Sequence, residues 1–454
     1  MTRPSLVVLL LATCLSACAG RLTLTPRTPL TRHAELPPAP PLRDPQVTFV
    51  LPEVETFVLP CGMEVNVVTR PSALVGYVGI LANGGGFGEV RVEEDIVLRD
   101  ALATVSESEV RIDESGLYVG QGGPASTTLP RTLALLSALR EPTLDVSDVA
   151  REVNRLAEFR SHFRTRNAMN AELALRFRLY GETSPHSSAV DHRRSHEGVN
   201  LVPLLTRLER LSLPSHLTIV VVGPATSTEV RDALTAATAS WPGASHAEPR
   251  ALIAWTYPEY RPRSHSYPTT NEVSSIFLME RGPGAFADDH GAYRIAVRIF
   301  GGLEHSLARS TSLDASCDRC GLHAAIVEEG AGQSLFSLGI AVAQEDLERT
   351  LTILPDELER LGHAEVVTRE EFTSARNVEL TLEAHRFDTS EGIAQALLRA
   401  RGEGQGIDAY ARRFEAIRTA TADQTAQAVR TWWRPATAPI TVITEGAGPN
   451  PHGH

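Results

Sequence analysis

Apolar and polar side chains alternate over FVLPCGMEVNVVTR (57–70) and LVGYVGILANGG (74–85), each bounded by turn residues, which predicts two strands. Spacing then lengthens to that of a helix around 93–105, and a strand follows near SGLYVGQG (115–122). LPRTLALLSALREP (129–142) predicts a helix with Pro130 in its first turn, where no intrahelical donor is needed. A long helical stretch runs from about Asp148 to Arg178, and a polar loop and short helix lead to the apolar strand in PSHLTIVVVGP (214–224).

The second half repeats this grammar. SSIFLMERG (274–282) predicts a strand and AYRIAVRIFGGL (292–303) a helix. Strands GLHAAIVEEG and SLFSLGIAVA follow, then helix DLERTLTILPDELERLG (346–362). Thr368 and Glu371 form a capping box before a long helix over 369–386. Helix ADQTAQAVRTWW leads into PATAPITVITEG (435–446), which matches the closing strand of the first half. The closing Gly223 and Gly446 lie 223 residues apart, a period that suggests a duplicated domain rather than a solenoid. Strands grouped with long helices on one side predict an α+β chain of two homologous α/β sandwich domains.

Arg3, the apolar run LVVLLLA and then LSACAG have the order of a secretory signal, too short to span a bilayer stably. LSAC resembles the bacterial lipoprotein cleavage box, which implies acylation of Cys18. Ala19 resembles the residue of lipoproteins sent to the outer membrane, where acyl chains would hold the protein on its periplasmic side. The Pro-rich stretch that follows reads as an extended tether. The resulting layout is a leader over 1–17, Cys18 and tether through 47, a first domain over 48–245 and a linker over 246–265. A second domain over 266–446 and a tail over 447–454 complete it. The formal charge of −12 argues against nucleic acid as a partner. All 43 basic residues are Arg, a bias that coding composition explains more simply than guanidinium chemistry.

In order along the chain, VLPCGMEVNVV, REVNRLAEFR, the 181–224 loop–helix–strand closure and RIFGGLEHSLARSTSLDASCDRCGLHAAI resemble the pitrilysin and insulinase-type zinc peptidases. The size is that of a processing-peptidase subunit. Active members of that family carry H-x-x-E-H on the helix that here follows GGGFGE: two imidazoles bind zinc and the Glu activates a water. The resemblance places Asp95 and Arg99 at the two His positions and Leu98 at the Glu. No His lies between His33 and His162, so no shift of register restores the motif. Glu152 and Glu158 stand as remnants of the third ligand, expected to be solvated or paired with Arg151, Arg155 and Arg160. The family's substrate-gripping Arg and Tyr fall near Cys317 and at Ala324, with Arg319 and His323 adjacent.

Other groupings carry less. His186, His192 and His196, with Asp191 and Glu197, are dense but fit no standard metal spacing and read as a polar surface loop. His305 and Arg309 are helix-spaced and read as exposed. Cys317 and Cys320 suggest a local disulfide, although either could pair with Cys61. The expectation is a zinc-free lipoprotein subunit with no cofactor, which binds a zinc-containing peptidase of the same family or an extended polypeptide. The alternatives are an active metallopeptidase holding zinc through atypical ligands, and a purely structural envelope lipoprotein.

Overall fold

The computed structural model describes residues 49–83, 92–106, 108–113, 116–141, 144–163, 167–181, 196–241, 265–269, 273–302, 321–328, 334–343, 346–363, 365, 367–433 and 440–445. Residues Asp44–His454 form one compact unit. The predicted leader, Cys18 and the whole tether lie outside the described residues. No described helix is long and apolar enough to cross a membrane.

The first sheet contains β1 (Glu55–Val58), β2 (Glu64–Thr69), β3 (Val75–Asn83), β4 (Glu109–Asp113), β5 (Gly116–Pro124) and β6 (Leu217–Gly223), in the order β1-β2-β6-β3-β5-β4. The β1–β2 hairpin turns at PCG. Gly62 takes a left-handed φ of 97°, and its N–H donates to the Leu59 carbonyl at 2.8 Å. The second sheet contains β7 (His265–Thr269), β8 (Val273–Gly282), β9 (Gly321–Glu328), β10 (Ser334–Ala343) and β11 (Ile440–Glu445), in the order β7-β11-β8-β10-β9.

The duplication read from the two closing strands is built into these sheets. β2 runs parallel to β6 as β7 does to β11, and every later neighbour is antiparallel in both. The order β2-β6-β3-β5-β4 therefore maps onto β7-β11-β8-β10-β9, with β1 as the addition.

In the first half α1 (Val92–Ser106), α2 (Thr128–Arg140), α3 (Val146–Phe163) and α4 (Asn167–Tyr180) are followed by α5 (Leu201–Leu211) and α6 (Ser227–Ala237). Val78, Ile80 and Ala82 of β3 and Leu217, Ile219 and Val221 of β6 meet the apolar faces of α1, α2, α5 and α6 in one core. The second half holds α7 (His290–Val297), which runs on into a π-helical turn over Arg298–Gly302, then α8 (Leu347–Arg360) and α9 (Arg369–His385). It continues with α10 (Ser390–Gly402), α11 (Asp408–Thr419) and α12 (Ala422–Trp432). The predicted capping box holds: the Glu371 N–H donates to Thr368 Oγ1 at 3.1 Å, and the Thr368 N–H to Glu371 Oε2 at 2.9 Å.

Helices do not stay on one side of each sheet, as the sequence pattern suggested. The opposite face of the first sheet, with Val68, Tyr77, Leu81, Val220 and Val222, is covered by Ile393, Ala394, Leu397 and Leu398 of α10, a helix of the second half. Conversely, Leu175, Leu179 and Tyr180 of α4 pack on Met279 and Leu335 of the second sheet. The halves thus exchange one helix each. That exchange explains why VVV in β6 and the β3 run are apolar on both faces instead of alternating. Gly79 gives α10 its close approach, since a Cβ there would lie 2.4 Å from Leu398 Cδ1.

Candidate functional site

α1 follows strand β3 and packs between α3 and α5. Its partly exposed side carries Glu93, Arg99, Asp100 and Ala103, while Asp95, Val97, Leu98, Ala101 and Leu102 are buried. Position 100 lies five residues beyond 95, a rotation of about 140° on a helix, so the two carboxylates address different neighbours.

Asp95 turns inward. Arg207 Nε of α5 donates to its Oδ1 at 3.3 Å, and both side chains are almost wholly shielded from water. Burial pushes the Asp95 carboxyl up to about 6, against the pull of Arg207. Leu98, the position that the resemblance assigns to the family's Glu, is fully buried in the first core and has no proton-accepting atom.

Arg99 turns outward into a chain of charges that joins α1 to α3. Its Nε donates to Asp100 Oδ1 at 2.7 Å. Arg155 of α3 donates through Nη2 to Asp100 Oδ2 and through Nε, at 2.6 Å, to Glu152 Oε2. Arg151 completes the row, donating to Asp148 Oδ1 at 2.7 Å and lying 3.6 Å from Glu152 Oε1. Glu152 is buried beneath this row, whereas Arg151 and Arg155 are each half exposed. Hydrogen bonds to Asp148 and Glu152 raise the Arg151 and Arg155 guanidiniums above the usual range. Of the two remnant candidates, Glu152 is therefore the buried one, and Glu158 is exposed on the same helix.

The structure brings Arg99 and Glu152 into one network and sends Asp95 and Leu98 elsewhere. Sequence reading passed over Asp100, which links them. Its partner Arg155 is 55 residues away, and only the packing of α1 on α3 reveals the pair. A zinc ion does not fit the donors present. Asp95 is committed to a buried guanidinium, Leu98 is aliphatic, and Asp100 and Glu152 already hold arginines. Among the described residues no three His, Cys, Asp or Glu side chains gather as a metal set.

The remaining predicted positions separate similarly. Ala324 lies on β9 opposite Leu338, buried in the second core, with only a methyl group to offer. His323 lies on the same strand opposite Gly339. Cys61 is a buried free thiol in the first core, not a disulfide partner. His196 is buried and Glu197 exposed at the turn before α5. His186, Asp191, His192, His305, Arg309, Cys317, Arg319 and Cys320 lie outside the described residues.

The two sheets repeat one plan of strands and helices, and α1, where the resemblance places the metal motif, carries Asp95, Leu98 and Arg99. Residues 208–379 match the family model of the peptidase M16 inactive domain, and α1 and α3 lie N-terminal to the match. Among solved structures, the peptidase M16 inactive domain from Pseudomonas fluorescens superimposes with a TM-score of 0.72 at 15% identity, covering 88% of this chain and 99% of that one. A protease from Helicobacter pylori gives 0.71 at 14% identity, over 87% of this chain and 100% of that one. A chain of Complex III2 from Candida albicans, with Inz-5 bound, gives 0.66 at 14% identity, over 86% and 96%. At such identities the likeness carries the fold. No curated protein matches in sequence. Residues 208–379 are thus similar to the M16 inactive domain in sequence, and the chain shares the fold of these M16-like structures.

Proposed function

We propose that this protein is a non-catalytic, zinc-free M16-like subunit that works by binding a catalytic M16 peptidase, tethered through a lipid on Cys18 to the periplasmic side of a bacterial outer membrane. The observation that carries the reading is the fate of the three motif positions. Asp95 is locked to Arg207, Leu98 is core, and Arg99 is bonded to Asp100. Hydrolysis by this family needs a metal-bound water and a carboxylate base, and among the described residues no set of side chains gathers to hold the metal. Complex III2, a chain of which shares the fold, is a precedent for the fold inside an assembly. β4 and β9 end the two described sheets, and a strand edge of this kind can take an extended polypeptide through main-chain hydrogen bonds.

The test is reconstitution. The soluble form beginning near residue 45 is mixed with an M16 peptidase subunit bearing intact H-x-x-E-H and run on gel filtration, and peptide cleavage is measured with and without it. Co-elution with a changed cleavage rate is expected. Separate elution with an unchanged rate overturns the proposal. Cys18→Ser is expected to move the folded protein from the membrane to the soluble fraction. Retention after a high-salt wash would show that another surface holds it.

A further inference from the structure

Before it enters the first sheet, the chain lies on the second half. Residues 49–54 (FVLPEV) form neither helix nor strand, yet three of their side chains are docked. The Phe49 ring stacks on Phe414 of α11 with centroids 4.6 Å apart, and it stands at 70° to Phe387 at 5.3 Å. Phe49 and Leu51 both pack on Ala396 and Ala400 of α10 and Tyr410 of α11. The Tyr410 ring in turn meets Phe387 and Phe286 edge to face, at 5.4 and 5.2 Å. Ala396 and Ala400 are one helical turn apart, so α10 presents only methyl groups where these two side chains settle. Val50, between them, is 75% exposed, the alternation of a chain with one face docked. Val54 then packs beside Val68, Tyr77 and Leu397, where α10 meets the first sheet, and β1 begins at Glu55.

We infer that the groove along α10 and α11 is a peptide-binding seat, filled in cis by residues 49–54. Its ligand class is an extended segment with large apolar side chains two positions apart, the first of them aromatic. β1, the strand with no counterpart in the second half, continues directly from this strap, so the two together are an addition to the repeated plan. The strap fastens the second half to the edge of the first sheet. A pull on the chain ahead of Phe49 therefore loads α10 and α11 before it reaches β1. Covalent attachment presents the strap to its seat at an effective concentration on the order of millimolar, so a free peptide enters only when the chain's own side chains are removed. The inference is independent of partner binding and of the lipid.

Thermal unfolding of the full chain, made soluble by Cys18→Ser, tests this with a synthetic peptide of residues 47–54, VTFVLPEV. Phe49→Ala/Leu51→Ala is expected to lower Tm by several degrees, because it empties the seat. The peptide, added at about 1 mM, is expected to raise the Tm of that double variant. A peptide with Ala at the two docked positions should leave it unchanged. The chain with its own Phe49 and Leu51 should respond to neither peptide, since its seat is filled. An unchanged Tm for the double variant overturns the inference, as does a lowered Tm that the peptide does not raise. Equal rises with and without the chain's own Phe49 and Leu51 would place the peptide elsewhere and also overturn it. If the double variant does not fold, refolding in the presence of VTFVLPEV decides: recovery of folded protein supports the inference, and no recovery overturns it.

Discussion

The two halves of this molecule repeat one plan, yet they handle charge at corresponding places in different ways. α7 follows β8 as α1 follows β3, and α9 is the long helix of the second half as α3 is of the first. In the second half the charges are sealed in. Arg294 of α7 donates to Glu379 Oε2 at 2.7 Å and to Glu383 Oε2 at 3.2 Å, and Arg413 of α11 donates to both oxygens of Glu383 at 2.8 Å. All four side chains are at most 9% exposed. Arg298 and Arg386 reach the same carboxylates from the rim. In the first half the described ion pair sealed on both sides is Asp95 with Arg207, and in the bridge between α1 and α3 the guanidinium of Arg155 lies half open to water. A buried carboxylate depends on every guanidinium it holds, because none can be replaced by solvent. An open bridge is stabilised less and exchanges partners more freely. The same fold position can thus serve as a rigid core joint in one half and an adjustable surface joint in the other.

The largest expected effect lies in the sealed network. Glu383→Ala leaves Arg294 and Arg413 buried without their shared acceptor and is expected to cost about 3–5 kcal/mol in urea unfolding. A loss below about 1 kcal/mol would show that the network relaxes or takes in water.

Next comes the sealed pair of the first half. Asp95 titrates at about 6 in the folded chain against 3.8 in its ordinary state, so the folded protein holds the extra proton between those values. Stability through this group therefore falls as pH rises from about 4 to 6, by up to about 3 kcal/mol, and stays reduced above that. Arg207 and Arg210 oppose the shift and Glu94 adds to it. Asp95→Asn is expected to remove this fall, which urea melts at pH 4, 5, 6 and 7 would register as a narrowing gap between wild type and variant at low pH. Parallel pH profiles would contradict it.

A smaller effect probes the exchanged helices. Gly79→Ala pushes a methyl toward Leu398 and is expected to cost about 1–3 kcal/mol by lifting α10 from the first sheet. Unchanged stability would mean that α10 shifts without loss. The smallest belongs to the open bridge. Glu152→Gln keeps an acceptor for a half-exposed Arg155 and is expected to cost about 1 kcal/mol or less. If it costs as much as Glu383→Ala, the two joints are energetically alike and the contrast between the halves disappears.

Sequence by itself determined most strands and most helices, because each rests on local rules: the alternation in β2 and β10 and the capping box at Thr368. The turn at Gly62, which divides the predicted 57–70 strand into β1 and β2, came from the structure. Sequence also determined the duplication, since β6 and β11 repeat one pattern at a fixed interval, and the want of any histidine between His33 and His162, which is a matter of residue type alone. The helices α10 and α11 and strand β7 escaped notice, being short or lacking a strong period of their own. Tertiary structure alone decided which surfaces those elements cover. The exchange of α4 and α10 between halves depends on side chains far apart in the chain, and the apolar run of β6 is equally compatible with other covers. It decided the site as well. Asp95 finds its partner at Arg207, 112 residues on, and Asp100 finds Arg155 across 55. The physical reason is one of range. Hydrogen bonding and periodicity act over a few residues and can be read from order, whereas the pairing of buried charges depends on which helices the cores bring into contact.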